Sequence, residues 1–194
     1  MRDFKNEEAL NTLNHSCAHV MAQAVKHLYP NAKFWVGPVV SEGFYYDIDL
    51  GDQVITDEDL PKIEKEMKKI VKEGATLERF TLPRQEAIDL MKKREEPYKV
   101  ELIEDLPEDA EISFYQQGEY IDLCAGPHLM NTKPLKAMKL ISSSGAYWRG
   151  NEKNKMLTRV YGTAYTKKAD LDAYLEHLED IKKRDHNKLG RELE

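Results

Sequence analysis

The sequence contains little cysteine and no long apolar run. Its 194 residues include only two cysteines, too few for a disulfide framework, which favours a reducing compartment, by default the cytoplasm. No segment approaches the roughly 18 consecutive apolar residues typical of a membrane-spanning helix. The first residues also lack the apolar core of a signal peptide. We therefore expect a soluble, cytoplasmic protein with no membrane partner.

Positive charge is also scarce, since 29 lysine and arginine residues are set against 35 acidic ones, a net charge of -6. The field of the whole chain does not attract nucleic acid, so any RNA contact must rely on a local basic patch. With 41% hydrophobic and 33% charged residues, the composition is that of an ordinary folded protein rather than a disordered or fibrous one.

Periodic apolar residues predict helices. Residues 6–29 carry apolar side chains at spacings of three and four, which indicates an amphipathic helix. A second helix is expected between an N-cap at Thr56 and a stop at Gly74, and another follows Pro83. Residues 167–194 predict a helix that leaves its domain, because the apolar pattern gives way to charge.

Aromatic and β-branched residues predict strands. The stretch 34–50 favours two short strands joined by a turn. Further strands are expected at 98–103, 112–116, 120–123, 135–142 and 156–161, the second and third of these paired as a hairpin around Gly118. The predicted fold class is therefore α+β, with antiparallel sheets packed around a long N-terminal helix and a C-terminal exit helix.

Two short motifs carry residues with chemical potential. His15 and His19 lie one turn apart on the same helix face, directed away from the apolar stripe of Cys17. Cys124 and His128 flank a Gly-Pro loop that cannot be regular helix. Three imidazoles and one thiol suit tetrahedral zinc. Taken separately, the histidines also fit a chance surface spacing and the cysteine an inert buried thiol.

Longer stretches around these motifs resemble a known family, the editing domain of bacterial-type threonyl-tRNA synthetases. The matching segments are HSCAH at 15–19, GFYYDID at 43–49, YIDLCAGPH at 120–128 and GAYWRGNEKNKMLTRVYGTA at 145–164. Alanyl-tRNA synthetase editing domains share only the looser HxxxH and CxxxH pattern. The resemblance implies an editing domain over residues 1–166, with its SAD-type motif region at about 112–165, and a helix over 167–194 leading toward an absent catalytic core.

Two features depart from the family. Ala125 stands where the family's commonest loop has arginine, so a tRNA contact by that side chain is absent or supplied elsewhere. Full-length enzymes also carry a small domain before HSCAH, and aminoacylation and anticodon-binding domains afterwards. We expect either an excised fragment or a free-standing editing protein.

The resemblance implies post-transfer proofreading of Ser-tRNA(Thr). A pocket that holds threonine cannot strongly reject serine, because one methyl group changes binding by only about 1–3 kcal/mol. A second site must then hydrolyse the wrong ester. The implied partners are the serine-carrying acceptor end of tRNA(Thr) and the rest of a synthetase chain. Two alternatives stay open: an alanyl-type domain acting on Ser- or Gly-tRNA(Ala), and a non-catalytic zinc- or RNA-binding module.

The same resemblance assigns side chains to the chemistry of water activation, substrate positioning and pocket shape. The implied catalytic residues are His15, His19, Lys99, Cys124 and His128. Lys99 also fits a solvated lysine on a strand. The threonyl family is generally described as editing without metal, whereas the alanyl relatives carry zinc, so we expect no metal cofactor. Zinc on the three histidines and the cysteine is the alternative.

Substrate binding is assigned to a second set of residues. Asp122 is expected to bind the serine ammonium or hydroxyl group, and Tyr46 to lie beside the adenosine, unless it is simply a core aromatic. Tyr147, Trp148 and Arg149 interleave aromatic and basic side chains, a mix that stacks on bases and pairs with phosphates. An exposed charged rim on a hydrophobic turn is the alternative.

Overall fold

The computed structural model describes residues 4–192, with side chains from residue 7 onward. Its elements in chain order are α1 (Phe4–Leu28), β1 (Lys33–Phe34), β2 (Val39–Val40), β3 (Gly43–Asp49), α2 (Leu60–Glu73), β4 (Leu77–Thr81), α3 (Arg84–Lys93), α4 (Pro97–Glu104), β5 (Ser113–Gln117), β6 (Tyr120–Leu123), β7 (Ala137–Tyr147), β8 (Met156–Tyr165) and α5 (Lys168–Glu192). Helices mix with antiparallel strands, which confirms the α+β prediction.

The strands form two separate antiparallel sheets. The larger has the order β1-β3-β8-β7, and β2 pairs with the first residues of β3 on the same edge as β1. The smaller sheet has the order β4-β5-β6. In the larger sheet Tyr46 pairs with Val160, and in the smaller Tyr115 pairs with Asp122. The two sheets therefore bring residues from distant parts of the chain toward α1.

Helix α1 packs between these two sheets, which confirms the predicted arrangement around a long N-terminal helix. Its apolar stripe joins α2, β3 and β8 in the main core through Cys17, Val20, Met21, Ala24 and Val25. On its other side Gln117 of β5 donates through Nε2 to the His19 carbonyl at 3.1 Å and to Gln23 Oε1 at 2.8 Å. Both faces are therefore occupied, and the middle of the helix is buried.

A second, smaller core lies beneath α3 and α4. Its buried members are Ala87, Ile88, Met91, Ile103, Ile112 and Phe114. Phe80 of β4 stacks on Phe114 with ring centroids 5.3 Å apart. This core fixes α4 against the rest of the domain, and α4 carries one of the predicted site residues, Lys99.

The prediction of a strand at 98–103 is wrong, since these residues belong to α4. Proline at the first helical position has its φ already set for a helix and loses no hydrogen bond there, and Pro97 occupies that position. Val100 and Ile103, three residues apart, both pack on the smaller core. A run of only six residues fits a strand and a helix equally well, and tertiary packing decides between them.

Strand β4 was not predicted from the sequence. Only Leu77 in it is buried, and the strand pairs with β5 alone, at the edge of the smaller sheet. Edge strands show weak alternation because one side of the strand faces solvent. The stretch 34–50 likewise contains three strands rather than two, because Lys33–Phe34 and Val39–Val40 pair separately with β3.

The other predicted elements are confirmed, with shifted boundaries. Gly74 ends α2 with φ +68°, the left-handed conformation that favours glycine. Strands β7 and β8 extend to Tyr147 and Tyr165, beyond the predicted ends. The exit helix runs to Glu192, and the last two residues of its prediction lie outside the described part. The division between residues 166 and 167 remains a prediction.

None of the helices in the described part of the chain is long and apolar enough to cross a membrane.

His27 ties the end of α1 to two neighbours. Its Nδ1 lies 2.9 Å from Glu66 of α2, and its Nε2 lies 2.6 Å from Glu119 in the β5–β6 turn. Burial lowers the pKa of His27, but the hydrogen bonds and charges of the two glutamates outweigh it and raise the pKa overall.

We expect this clamp to make stability depend on pH. A raised folded-state pKa stabilises the fold fully below the unfolded value of about 6.5, and the gain disappears as pH rises through the folded-state pKa. Chemical denaturation between pH 5 and 9 should show that the native chain exceeds His27→Gln in free energy of unfolding at low pH and that this difference disappears as pH rises. E66Q/E119Q should differ from the native chain in the same way, and a difference that does not change with pH for either variant would contradict the clamp.

Candidate active site

The two motifs meet in space. Helix α1 supplies His15 and His19, and the connection from β6 to β7 supplies Cys124 and His128. One ligand atom from each of the four lies within 4.8 Å of the other three. The Cys124 Sγ atom is 3.2 Å from His15 Nε2 and 3.2 Å from His128 Nε2. A thiol therefore bridges two imidazoles.

The His128 ring lies at the centre of a cluster of rings. Its centroid is 4.2 Å from that of His15, 4.1 Å from that of His19 and 4.3 Å from that of Tyr115 on β5. Packing on three sides fixes the orientation of the ring. Sequence reasoning missed Tyr115, whose only signal was its place one residue from the middle of a predicted strand.

Ser16 is a second residue that sequence reasoning missed. Its Oγ is 3.1 Å from His128 Nδ1 and accepts the Leu129 N–H at 2.9 Å. It is completely buried. The available signal was its position inside HSCAH, on the same helix as the two histidines.

The loop between Cys124 and His128 is shaped by Gly126. Its φ of +80° is left-handed, and the Tyr115 hydroxyl leaves no room for a side chain there. The Gly126 N–H donates to Cys124 Sγ at 3.3 Å, and Ser113 Oγ donates to the Cys124 carbonyl at 2.7 Å. The thiol is thus held by its own loop as well as by the imidazoles.

A buried charge network lies beside the cluster. Asp122 is 1% exposed and forms an ion pair with Lys99, Nζ to Oδ1, at 2.9 Å. The Tyr46 hydroxyl donates to Asp122 Oδ2 at 2.6 Å and lies 2.8 Å from Lys99 Nζ. His19 Nε2 is 3.4 Å from Asp122 Oδ2. The network joins β3, α4, β6 and α1.

This network bears on the alternatives drawn from the sequence for Lys99 and Tyr46. Lys99 is neither on a strand nor solvated, because α4 points it into the interior with 4% exposure. Tyr46 is 1% exposed and packs edge-on to Phe34. These contacts fit the alternative of a core aromatic, and the Tyr46 hydroxyl orients Asp122; a place beside the adenosine stays a prediction.

Burial keeps the cluster neutral. It lowers the pKa of His128 to about 2 and that of His19 to about 4, and the neighbouring imidazoles add to the effect. Burial also lowers the pKa of His15, opposed by a hydrogen bond to the Pro127 carbonyl. The Cys124 pKa rises to about 11 for the same reason. At neutral pH the site holds neutral imidazoles and a thiol.

Asp122 is the exception, because it stays ionised. Burial alone would raise its pKa. The charge of Lys99 and the contacts of His19 and Tyr46 outweigh burial and lower the pKa to about 2. The site therefore places a fixed carboxylate–ammonium pair directly behind neutral acid–base groups. Such a separation of protonation states is typical of catalytic sites.

The cluster reaches the surface at His15. A groove of about 620 Å³ is lined by Glu7, Glu8, Asn11, Thr12, His15, Pro38, Val39, Val40, Ser41 and Pro127. His15 is partly exposed, whereas His19 is 3% exposed. A molecule in the groove therefore meets His15 first.

The arginine of the predicted Tyr147–Arg149 patch is paired with carboxylates of a neighbouring element. Arg149 Nη2 lies 2.8 Å from Glu101 and 2.7 Å from Asp105, both on or next to α4. Trp148 packs edge-on to Tyr98 of α4 at 5.5 Å, and Tyr147 is 41% exposed. This segment therefore sits on the helix that carries Lys99, but its arginine is already paired.

Two of the neighbouring cations, Lys155 and Arg159, are paired as well. Lys155 lies 2.8 Å from Asp49. Arg159 makes a two-point contact with Asp47 at 2.7 and 3.0 Å, and its guanidinium lies 4.1 Å from the centre of the Tyr45 ring. These contacts organise the outer face of the larger sheet rather than leaving free positive charge.

Unpaired positive charge collects instead in a lysine-lined hollow that sequence reasoning missed. This hollow, of about 390 Å³, is formed by Lys68, Val71, Lys72, Lys133, Leu135 and Lys136. Within residues 7–192 none of its four ammonium groups forms an ion pair. The connection that carries Cys124 and His128 runs directly into it. The sequence does not reveal this hollow, because its lysines come from two segments that are far apart in the chain.

The donor set fits zinc in ligand type and number, since three imidazole nitrogens and one sulfur can converge. Binding would need the Cys124 proton to leave, because the thiolate is the ligand. If all four bound the ion, the site would be closed and the role structural.

Comparison with known proteins identifies the class of the domain. Residues 112–161 match the family described as the threonyl and alanyl tRNA synthetase second additional domain. This range includes β5, β6 and the loop of Cys124 and His128, half of the cluster. This part of the chain is therefore similar to that domain.

More specific relatives are threonine–tRNA ligases. The chain is 61% identical over 191 residues to those of Clostridium acetobutylicum and Acetivibrio thermocellus, and 60% identical over 190 residues to that of Clostridium perfringens. Each match covers 98% of this chain and 29–30% of the relative. The chain thus spans about 30% of the length of these curated relatives. The resemblance to the editing region of bacterial threonyl-tRNA synthetases is confirmed.

We expect Lys99 to stabilise the fold mainly by neutralising Asp122. Removing one partner of a buried ion pair costs about 3–5 kcal/mol, whereas removing both costs much less. Lys99→Met should therefore lower the free energy of unfolding by about that amount, and K99M/D122N should recover part of the loss. Denaturant titration measures both, and additive effects of the two substitutions would contradict the pairing.

Proposed function

We propose that this domain proofreads threonine tRNA by hydrolysing the ester of Ser-tRNA(Thr). The observation that carries the proposal is His15, a neutral imidazole exposed to an open groove and backed by a buried Asp122–Lys99 pair. Support also comes from the identity of 60–61% to threonine–tRNA ligases. The substrate is then the acceptor end of tRNA(Thr) carrying serine.

In this proposal His15 is the general base. A water in the groove gives its proton to His15 while its oxygen attacks the ester carbonyl, and the C–O bond to the terminal ribose breaks as the ribose oxygen takes up a proton. Neutral imidazole is the form that can accept the proton, and burial keeps His15 in that form. The products are free serine and uncharged tRNA.

The remaining cluster residues support this step. The positive charge of Lys99 lies behind the cluster, where it stabilises negative charge on the carbonyl oxygen. Asp122 is buried and paired with Lys99, so in this proposal its negative charge attracts the serine ammonium through space rather than by direct contact, with Tyr46 and His19 fixing its orientation. Cys124 and His128 hold His15 in place and form the wall of the pocket.

We further propose that the site works without metal. The reaction needs a base and a fixed charge, and both are supplied by side chains. An alanyl-type activity is the second candidate, because the matching family is described by both threonyl and alanyl enzymes.

The decisive measurement is deacylation by the chelator-washed chain at saturating tRNA. We expect Ser-tRNA(Thr) to be hydrolysed much faster than Thr-tRNA(Thr), with less than stoichiometric zinc by metal analysis. H15A/H19A should lose at least about 100-fold in rate, the contribution of general base catalysis. The matched control H177A/H186A removes two exposed histidines of α5 and should keep full activity.

Four results would count against these proposals. Equal rates on Ser-tRNA(Thr) and Thr-tRNA(Thr) would remove the proofreading role. Preference for Ser-tRNA(Ala) would establish the alanyl-type alternative, and binding of tRNA without turnover would establish a non-catalytic module. Activity lost on chelation and restored by zinc would overturn the metal-free site.

The lysine-lined hollow is our candidate for the tRNA backbone contact. Its lysines are unpaired within the described side chains, and the hollow is fixed by backbone bonds from Leu77 to the Met130 carbonyl and from Thr132 to the Ala75 carbonyl. The arginine of the Tyr147–Arg149 segment, by contrast, is already bound to two carboxylates. A phosphate backbone binds where positive charge is unpaired.

Salt dependence of tRNA binding tests this contact. Each lost phosphate contact reduces the slope of log affinity against log salt by about 0.7–0.9. K133Q/K136Q should reduce the slope by about two such contacts, whereas the control K92Q/K93Q, an equal charge change on the exposed end of α3, should leave it unchanged. Equal slopes for the two variants would exclude the hollow without affecting the deacylation result.

A further inference from the structure

We propose that Ser16 is a positioning residue that fixes the proton of His128 on Nε2 and thereby keeps His15 Nε2 free to accept a proton. This inference rests on the proposed function for its catalytic consequence. Its structural part, the location of the protons, stands on hydrogen-bond geometry alone.

The first step concerns the Ser16 hydroxyl. Serine and threonine in a helix often donate to the carbonyl four residues earlier, as Thr12 does to Glu8 at 3.1 Å. Ser16 makes no such bond among the described residues. Its oxygen accepts the Leu129 N–H at 2.9 Å, and its other partner is His128 Nδ1 at 3.1 Å.

The hydroxyl proton must therefore point at His128 Nδ1. If Nδ1 itself carried a proton, the Ser16 O–H would be left without an acceptor in a residue that is 0% exposed. An unpaired buried donor costs about 1–3 kcal/mol. The favoured arrangement has Ser16 donating to Nδ1, and a neutral His128 then carries its proton on Nε2.

The second step concerns Cys124. The Nε2–H of His128 points at Cys124 Sγ across 3.2 Å, and the Gly126 N–H also donates to this sulfur at 3.3 Å. With the sulfur accepting from two donors, the single thiol proton is left for the remaining neighbour, His15 Nε2, at 3.2 Å. His15 Nε2 is thus an acceptor.

These contacts give the whole chain of proton positions. The donors run in one direction, from Ser16 through His128 and Cys124 to His15. No donor meets a donor at any point.

This order has a catalytic consequence. A thiol is a weak donor, so a water that enters the groove can replace it at His15 Nε2 and transfer its proton there. Without Ser16, His128 can place its proton on Nδ1 and accept the thiol proton at Nε2. The sulfur then presents a lone pair to His15, which favours a proton on His15 Nε2 and removes the base.

Long-range ¹H–¹⁵N spectra of the chelator-washed chain test the assignment directly, because a protonated and an unprotonated ring nitrogen differ in ¹⁵N shift. We expect His128 as the Nε2–H form and His15 with unprotonated Nε2. In Ser16→Ala the His128 form should change, and kcat on Ser-tRNA(Thr) should fall about tenfold with KM unchanged, a typical cost for losing a partner that orients a functional imidazole.

Two further variants separate positioning from loss of stability. Ser16→Thr keeps the hydroxyl and should keep the His128 form. Ser143→Ala removes a hydroxyl that donates to the Ile55 carbonyl at 3.0 Å, between β7 and the segment before α2, and should change neither spectrum nor kcat.

The outcomes distinguish this inference from the proposed function. Nδ1–H on His128 in the native chain overturns the inference, whatever the activity, and so does an unchanged His128 form in folded Ser16→Ala. The native spectrum decides even if Ser16→Ala does not fold. An inactive native chain with the expected proton positions supports the assignment and overturns only the proofreading function.

Discussion

Helix α1 lies between two sheets, so from Leu13 to Val25 it has almost no surface in water. Every polar side chain on that stretch must then find a partner inside the protein. Asn14 exchanges two hydrogen bonds with the backbone of Ala164 at 2.9 and 3.0 Å, and Gln23 accepts from Gln117. The same requirement draws Ser16 and His19 into bonds with the site. The chemistry of the cluster is thus a consequence of how the helix is buried.

Burial also determines the balance of charge at the site. Moving several ionisable groups out of water favours their neutral forms, and His19, His128 and Cys124 follow that rule. Asp122 does not, because Lys99 on α4 reaches it. One ion pair is stable there because a third group, the Tyr46 hydroxyl, satisfies both partners. A neutral cluster beside a single fixed pair follows from these two effects together.

The sequence predicted the parts of this arrangement that depend on local pattern. The helix of His15 and His19, the hairpin around Gly118 and the α+β class follow from periodicity and turn residues. Lys99 shows the limit, since its segment was read as a strand and only packing against the smaller core makes it a helix. The partnership of Ser16 with His128 was equally out of reach, because it joins residues 112 positions apart. The family resemblance identified the residues of the cluster, but contacts between elements determine the protonation and the hydrogen-bond partners of each residue.

The distribution of cations illustrates the same limit and carries a physical argument about RNA. In the sequence, the segment from Tyr147 to Arg159 is the basic, aromatic stretch, whereas in the fold its arginines and Lys155 are bound by carboxylates. A paired arginine must give up its carboxylate before it can bind a phosphate, and replacing one anion by the other lowers the free energy only slightly. Lys133 and Lys136 have no such partner to lose among the described side chains, and they share a loop with His128. In a chain of net charge -6, unpaired charge rather than the count of basic residues decides where a polyanion can bind.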